Sequence, residues 1–338
     1  MILIGDIGGT NTRLALVEQA ATLREFKVLQ HYNSVEFSDF YQILNLFLQQ
    51  YTQGITIQLA CLAIAGPIKN GAVKVTNLPW NISEQEIKQR FTIPAVTLIN
   101  DFYAVAYAVS LLSMDDYIDI HKAVDCVNKD SAVIGAGTGL GVAQYRFING
   151  QHRVFSSEAG HVDFAPVGNQ QTQLLSWLQQ TYQYISVEML LSGGGLKLIY
   201  DFFCATEPHN ESATIRNQFT DSDPAQVISN LGLSASDTLC EKALDCFVDI
   251  YAASAANVVL HYYPVGTVFI AGGIAEKIKT KIASRHFVDT FCNKGAMTEV
   301  LRSVSIKLIT ESQIGLLGAL AVARDVVQHS PNNQKESI

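Results

Sequence analysis

No stretch of this sequence holds the run of about 18 to 20 uninterrupted apolar residues that a bilayer crossing needs, so no membrane is expected as a partner. The first residues lack a basic segment, and Asp6 interrupts their apolar run before any small-residue cleavage site. A secretory signal is therefore not expected, and a cytoplasmic location is. The six cysteines, Cys61, Cys126, Cys204, Cys240, Cys246 and Cys292, show no C-x-x-C spacing. That argues against a structural zinc site and a disulfide framework, and for reduced, mostly buried thiols. Positive charge is scarce too: 23 lysines and arginines face 31 acidic residues, for a net charge of −8. With no basic cluster on the chain, nucleic acid is not expected as a partner, and any bound phosphate falls to backbone groups and a metal. Neither G-x-x-x-x-G-K-[ST] nor a G-x-G-x-x-G leading into a helix occurs, which sets aside P-loop and Rossmann nucleotide sites.

What is present is a 338-residue chain, 48% hydrophobic, long enough for two domains and a large core. It opens on ILIGDIGGTNTRLALVEQA, where an apolar strand from Ile2 to Ile7 and an alternating one from Arg13 to Val17 flank Gly8, Gly9, Thr10 and Asn11. This predicts a hairpin whose tip exposes N–H groups that attract phosphate, although a plain turn carries the same residues. A second passage, SAVIGAGTGLGVAQYRF, has the same form, with Gly135, Gly137, Thr138, Gly139 and Gly141 at its bend. Each hairpin is followed by further strand sequence, QLACLAIAGPI with AVKVTN after the first and HRVFSSEAGHVDFAP after the second. The pair predicts an internal repeat: a duplicated α/β domain whose halves face one another across a cleft.

A third glycine site differs. In GTVFIAGGIAEKI the strand Val268 to Ala271 runs into Gly272 and Gly273, with a helix expected from about Ala275, and such a turn admits a flat ligand such as an adenosine. Helical spacing predicts helices over FSDFYQILNLFLQQY, DFYAVAYAVSLL, 172–184 and 187–191, the last of these ended by SGGG. A long helix is expected from Ser236 to about Tyr262, a mobile loop region or insertion over the polar stretch 205–234, and a disordered tail over the last ten residues.

Phosphoryl transfer to an alcohol needs a carboxylate near the hydroxyl, a metal to spread charge, and donors around the moving group. Asp101 is the candidate carboxylate, because in TLIND a strand stops where a helix starts, which points a side chain out of a sheet edge. A helix N-cap has the same signature. Asn100 beside it offers an amide suited to sugar hydroxyls or to a turn. In SSEAGHVDF, Glu158 and His161 stand three residues apart around a glycine, two polar groups that can converge on neighbouring hydroxyls. Glu188 opens a short helix, where it can also complement the helix dipole.

The series GDIGGTNTRLAL, LINDF, GAGTGLGVA, EAGHVDF, VEMLLSG and FIAGGI resembles the bacterial glucokinase family of the actin, Hsp70 and sugar-kinase ATPase superfamily, from about residue 3 to 325. The resemblance implies a two-domain actin-like (ribonuclease H-like) α/β fold with a cleft between the domains. Its small domain would span 1–110 plus about 312–328, its large domain 111–311, and the tail 329–338. It implies transfer of the γ-phosphoryl group of ATP to the 6-hydroxyl of glucose, the first step of glycolysis, by a homodimer. Because water is also a nucleophile, closure of the two domains around the sugar is expected. Asp101 would be the catalytic base, and Asn100, Glu158, His161 and Glu188 would hold the remaining hydroxyls. Gly8, Gly9, Thr10 and Asn11 would contact phosphate from one domain and Gly137, Thr138 and Gly139 from the other. Asp6 would lie near a magnesium ion, through water, and Gly272 and Gly273 would flank the adenosine. An ordinary aspartate pKa at Asp101 would suffice for this chemistry.

The chain departs from the family pattern at Ala159, at Gly194 and at Ser312–Ile314, where the family's last helix starts with Asn-Pro. The zinc-bearing cysteine cluster of the separate repressor and sugar-kinase family is absent after His161. Two other readings stay open at this point: a kinase for mannose, fructose or another hexose, and a non-catalytic sugar-sensing protein on the same ATPase fold.

Overall fold

The opening apolar run folds as a buried strand because both faces of its sheet are covered. The computed structural model describes residues 1–19, 24–123, 128–208 and 213–328; the expected tail over 329–338 lies outside them, as does Cys126. The chain divides into two units, Met1–Leu111 together with the segment from Glu311, and Leu112–Thr310.

The first unit holds β1 (Ile2–Ile7), β2 (Asn11–Val17), β3 (Val28–Asn33), β4 (Leu59–Ile64), β5 (Ala72–Lys74), β6 (Asn81–Ser83) and β7 (Ala95–Asn100), with helices α1 (Phe40–Tyr51), α2 (Glu84–Phe91) and α3 (Asp101–Ala108) and the last helix among the described residues, Ile314–Gln328. Its main sheet runs β3-β2-β1-β4-β7; β1, β2 and β3 are antiparallel, whereas β1, β4 and β7 are parallel. Leu3, Ile7, Leu14, Leu16 and Leu62 turn to one face, where α1 buries Phe40, Ile43, Leu44 and Phe47. On the opposite face Ile2, Ile4, Ala15, Cys61 and Ala63 are buried where the last helix packs on β1 and β4. Burial on both faces is why β1 and β4 lack a polar alternation. Asp39 starts α1 by accepting the Gln42 N–H at 3.0 Å.

α3 crosses the last helix at very close range: a Cβ at Gly318 would fall well inside the van der Waals radius of the Ala104 carbonyl oxygen. We expect Gly318→Ala to cost about 3 kcal/mol or more, since neither backbone can yield without separating the helices. Urea unfolding of the variant checks this, and an unchanged midpoint would show that the crossing tolerates a methyl group.

The second unit holds β8 (Tyr117–His121), β9 (Ser131–Ala136), β10 (Leu140–Ile148), β11 (Gln151–Ser157), β12 (Thr267–Ala271) and β13 (Ser305–Ile309). Its helices are α4 (Gly168–Leu178), α5 (Val187–Leu190), α6 (Gly193–Thr206), α7 (Ala213–Asp221), α8 (Pro224–Leu233), α9 (Thr238–Tyr262), α10 (Gly273–Lys277), α11 (Lys279–Ile282), α12 (Arg285–Cys292) and α13 (Thr298–Arg302). The sheet order is β11-β10-β9-β12-β13-β8, with β9, β10 and β11 antiparallel and β9, β12 and β13 parallel. The two sheets therefore share one plan: a three-stranded antiparallel meander whose first strand is also the first of three parallel strands.

That plan aligns the repeat differently from the sequence. The partner of β11 is β3, a strand the residue pattern does not indicate, and QLACLAI is the partner of β12. Other expectations are corrected as well. The stretch 205–234, expected as a mobile loop, is largely helical in its described part: Asp223 caps α8 by accepting the Ala225 N–H at 3.1 Å, with Pro224 in its first turn, while Val227 and Ile228 are buried. The helix expected over 187–191 is α5, which stops at Leu191 directly before SGGG, but the same four residues also open a helix, because the Ser192 hydroxyl accepts the Gly195 N–H at 3.1 Å and starts α6. The helix expected over 172–184 lies at Gly168–Leu178. α9 is long and apolar enough in composition to cross a membrane, yet it is a core helix, buried through Ala252, Ala253, Ala255 and Ala256. The five described cysteines are buried free thiols.

Candidate active site

The first glycine tip sits at the carboxyl-terminal end of β1. Gly8 N–H donates to the Asn11 carbonyl at 2.9 Å and closes the turn, and Ser34 holds it from beside: its N–H donates to Thr10 O at 2.8 Å and its hydroxyl to Gly8 O at 3.0 Å. Ser34 is fully buried and also lies 2.9 Å from the Thr12 hydroxyl. Among the described residues the N–H groups of Gly9 and Thr10 donate to no backbone carbonyl, so they remain available to an anion. Asn11 begins β2 with its side chain exposed.

One residue before the tip, Asp6 stands opposite Arg13 in the β1–β2 register, its Oδ2 3.5 Å from the guanidinium. Burial pushes the Asp6 pKa up, against the pull of Arg13. The last helix approaches closely here: a Cβ at Gly315 would lie 2.8 Å from Asp6 Oδ2. Helix starts at the departures from the family pattern are intact, since Leu317 N–H donates to Gln313 O at 3.0 Å and Arg13 donates to Ser312 O at 2.8 Å.

At the end of β7 the cap of α3 is Asn100, not Asp101. Asn100 Oδ1 accepts the N–H groups of Phe102 and Tyr103 at 3.0 and 3.1 Å, and its Nδ2 donates to Gly66 O at 3.3 Å. One amide hydrogen of Asn100 is left for a ligand. Asp101 is thereby freed from capping duty and placed in the first turn of α3, where Oδ1 accepts the Phe102 N–H at 2.8 Å. Burial, and less strongly the charge of Asp6, raises its pKa to about 6 in spite of that hydrogen bond. The value lies above the ordinary one that would suffice for the chemistry, and its cause, burial of the carboxyl, is not visible in residue order. At pH 7 the carboxylate still outnumbers the acid by about ten to one.

In the second unit the turn between β9 and β10 is Gly137, Thr138 and Gly139, closed by Gly137 N–H to Gly139 O at 2.8 Å and tied to α6 by Gly193 N–H to Gly137 O at 3.1 Å. Gly135 and Gly141, expected at the bend, face one another within the strands. Glu158 is exposed and precedes the short 3-10 turn Ala159–His161, where its carbonyl accepts the His161 N–H at 3.0 Å. The His161 Nδ1 lies 3.8 Å from Glu188 Oε1, which brings these two expected sugar ligands together. Glu188 Oε2 accepts the Leu140 N–H at 2.8 Å.

Beside them, the ends of β9 and β12 are pinned by a residue the sequence pattern hides. The buried Tyr251 hydroxyl accepts the Ala136 N–H at 3.1 Å and donates to Ala271 O at 3.1 Å. This fixes Gly272, which adopts φ +90° and has no room for a Cβ against the Ala136 carbonyl. Gly272 and Gly273 are exposed and open α10, two residues before the expected start. The signal for Tyr251 is a polar-tipped aromatic within the run of small residues in α9; Ser34 carries none.

The sequence model described as Glucokinase matches residues 3–326. The chain belongs to the glucokinase family. The glucokinase of Nostoc sp. is 36% identical to it over 337 residues, covering 96% of this chain and 98% of the relative. Among solved structures, the glucokinase from an Antarctic psychrotroph is 33% identical with a TM-score of 0.80, covering 96% and 98% of the two chains. A ROK family glucokinase from Streptomyces griseus, solved in complex with glucose and AMPPNP, shares the fold at 16% identity, with a TM-score of 0.61 and 96% and 99% coverage. The chain is accordingly a sugar kinase, and its activity is that of glucokinases.

Proposed function

We propose that Asp101 is the catalytic base of this glucokinase and that the residues above divide between its two substrates. The observation that carries the proposal is the division of labour at the β7–α3 junction, where Asn100 caps the helix and leaves the Asp101 carboxylate, mostly ionised at neutral pH, to take a proton. In the reaction the 6-hydroxyl oxygen of glucose forms a bond to the γ-phosphorus of ATP, the bond to the β–γ bridging oxygen breaks, and ADP leaves with that electron pair. The hydroxyl proton passes to the Asp101 carboxylate. Glu158, His161 and Glu188, with the remaining amide hydrogen of Asn100, pair with the other hydroxyls. The tips Gly8–Asn11 and Gly137–Gly139 donate N–H groups to phosphate oxygens, and Gly272 and Gly273 flank the adenosine.

A magnesium ion fits the donor set on this reading. Asp6 is a partly exposed carboxylate beside a tip with free N–H groups, and magnesium takes one or two carboxylates, waters and phosphate oxygens rather than a full protein cage. Asp6 would hold it through water, and the ion would spread phosphate charge.

The finer architecture belongs to the proposal too: the two units are the domains of an actin-like, ribonuclease H-like ATPase fold, small and large, with boundaries near 110 and 312. Support comes from the shared strand plan of the two sheets. We further propose a cytoplasmic homodimer acting at the entry to glycolysis, with ATP as donor; the neighbour solved with glucose and AMPPNP supports the donor and the sugar. Coupled assays with ATP and a panel of glucose, mannose, fructose and their epimers test the specificity. We expect glucose to give the highest kcat/KM by at least about tenfold, because a displaced hydroxyl leaves a polar side chain unpaired. A higher value for another hexose would overturn the glucose assignment.

A further inference from the structure

Glu188 is oriented by its surroundings in a way that sugar binding alone does not require. Its two carboxylate oxygens have separate neighbours. Oε1 is the oxygen near His161, at 3.8 Å, and Oε2 accepts the Leu140 N–H at 2.8 Å, the first backbone donor after the turn Gly137–Gly139. The turn lies against that oxygen: a Cβ at Gly139 would lie 2.5 Å from Oε2, so a side chain there would displace the carboxylate from this position. Gly160, in the turn that carries His161, packs against the Leu140 carbonyl with no room for a methyl group. The other end of the turn is held by Gly193 N–H on Gly137 O, and Ser192 and Ser186 cap the helices that follow and carry Glu188. Within a single unit Glu188 is therefore hydrogen-bonded to the phosphate-side turn through Leu140, while His161 stands 3.8 Å from it and Gly160 packs against the same Leu140.

We propose that Glu188 is a positioning residue for the phosphate-binding turn Gly137–Gly139 as well as a sugar ligand, so that glucose and nucleotide affinities are coupled through its carboxylate. The inference rests on the sugar and phosphate assignments proposed above. Its physical basis is that a charge-assisted hydrogen bond fixes the Leu140 amide plane and with it the direction of the N–H groups at Thr138 and Gly139. A hydroxyl of glucose that engages Oε1 holds the carboxylate in the rotamer that supports the turn, and a phosphate on the turn holds it for the sugar. Such coupling is reciprocal by thermodynamic necessity.

The test is calorimetric titration of the full chain with magnesium AMPPNP in the absence of sugar, and with glucose in the absence of nucleotide. Glu188→Ala is expected to weaken AMPPNP binding without sugar about tenfold, the cost of leaving the Leu140 N–H without its charged acceptor. Glu188→Gln keeps an acceptor oxygen for Leu140 and is expected to bind AMPPNP within about twofold of the parent while losing glucose affinity about tenfold. Gly139→Ala, a change on the phosphate side, is expected to weaken glucose binding by at least about fivefold without nucleotide, because the new Cβ displaces Oε2. Parental AMPPNP affinity in Glu188→Ala with lost glucose affinity would overturn the coupling and leave the sugar role standing. Parental affinity for both ligands would remove Glu188 from the sugar site as well. If Glu188→Ala does not fold, Gly139→Ala decides: unchanged glucose affinity there overturns the inference.

Discussion

Asp101→Asn is expected to lower kcat at least about a hundredfold while changing glucose affinity by no more than a fewfold. Asparagine keeps the oxygen that accepts the Phe102 N–H and leaves the Asn100 cap untouched, so the junction keeps its shape and only the proton acceptor is lost. The same substitution should stabilise the fold at neutral pH. In the folded chain the Asp101 pKa is raised from 3.8 to about 6, so the folded state binds the proton more tightly than the unfolded state. Stability then falls as pH rises from about 4 to about 6, and the full penalty of the buried charge, at most about 3 kcal/mol, is present above that. Asparagine carries no such penalty. Unfolding without nucleotide or magnesium should show the variant more stable than the parent at pH 7.5 and no more stable at pH 4. The parent's kcat/KM for glucose should fall about tenfold per pH unit below pH 6. Equal stability of the two proteins at pH 7.5, together with an acid limb near pH 4, would place the carboxyl in water and undo the assignment of a partly buried base with a raised pKa.

Gly272→Ala is expected to be nearly as severe, by a different route. Any side chain at this position meets two obstacles: φ of +90°, which L residues rarely adopt, and the Ala136 carbonyl inside contact distance of a new Cβ. Because Tyr251 holds Ala136 and Ala271 by the same hydroxyl, the strand ends cannot part to make room without breaking buried hydrogen bonds. We expect a stability loss of about 3 kcal/mol or more, and a KM for ATP raised at least about tenfold with the KM for glucose much less affected. Gly273→Ala is the control: nothing lies near a Cβ there, and it should cost less than about 1 kcal/mol. Equal effects of the two substitutions would mean that the close approach at Gly272 is not what the turn depends on.

The parts of this fold that can be read from residue order are those where chemistry leaves little choice. The tips at Gly8–Asn11 and Gly137–Gly139 stand out as glycine-rich breaks between apolar strands, and the turn at Gly272 because its positive φ and the nearby Ala136 carbonyl require glycine. β3 escapes such a reading because VLQHYN is a half-exposed edge strand with no apolar run. α6 escapes it because three glycines resemble a helix stop, and only the Ser192 cap reverses that meaning. The polar stretch after residue 205 hides α7 and α8, whose exposed faces dominate its composition.

At the site, residue types and spacing offer Asp101, Glu158, His161 and Glu188 only as candidates, and it is the resemblance to the glucokinase family that gives them roles. They do not show that Asn100 takes the capping role and frees its neighbour. Nor do they show the raised pKa of Asp101 or the contact of Glu188 with Leu140, since burial and long-range hydrogen bonds are products of packing rather than of local order.

The most direct measurement is the position of the transferred phosphate, followed by NMR with glucose and with 6-deoxyglucose in parallel. We expect glucose to give phosphate on carbon 6, and 6-deoxyglucose to compete with glucose for binding while leaving ATP almost unconsumed. Phosphate on another carbon, or ADP released equally fast with the deoxy sugar, would contradict a base aimed at the 6-hydroxyl.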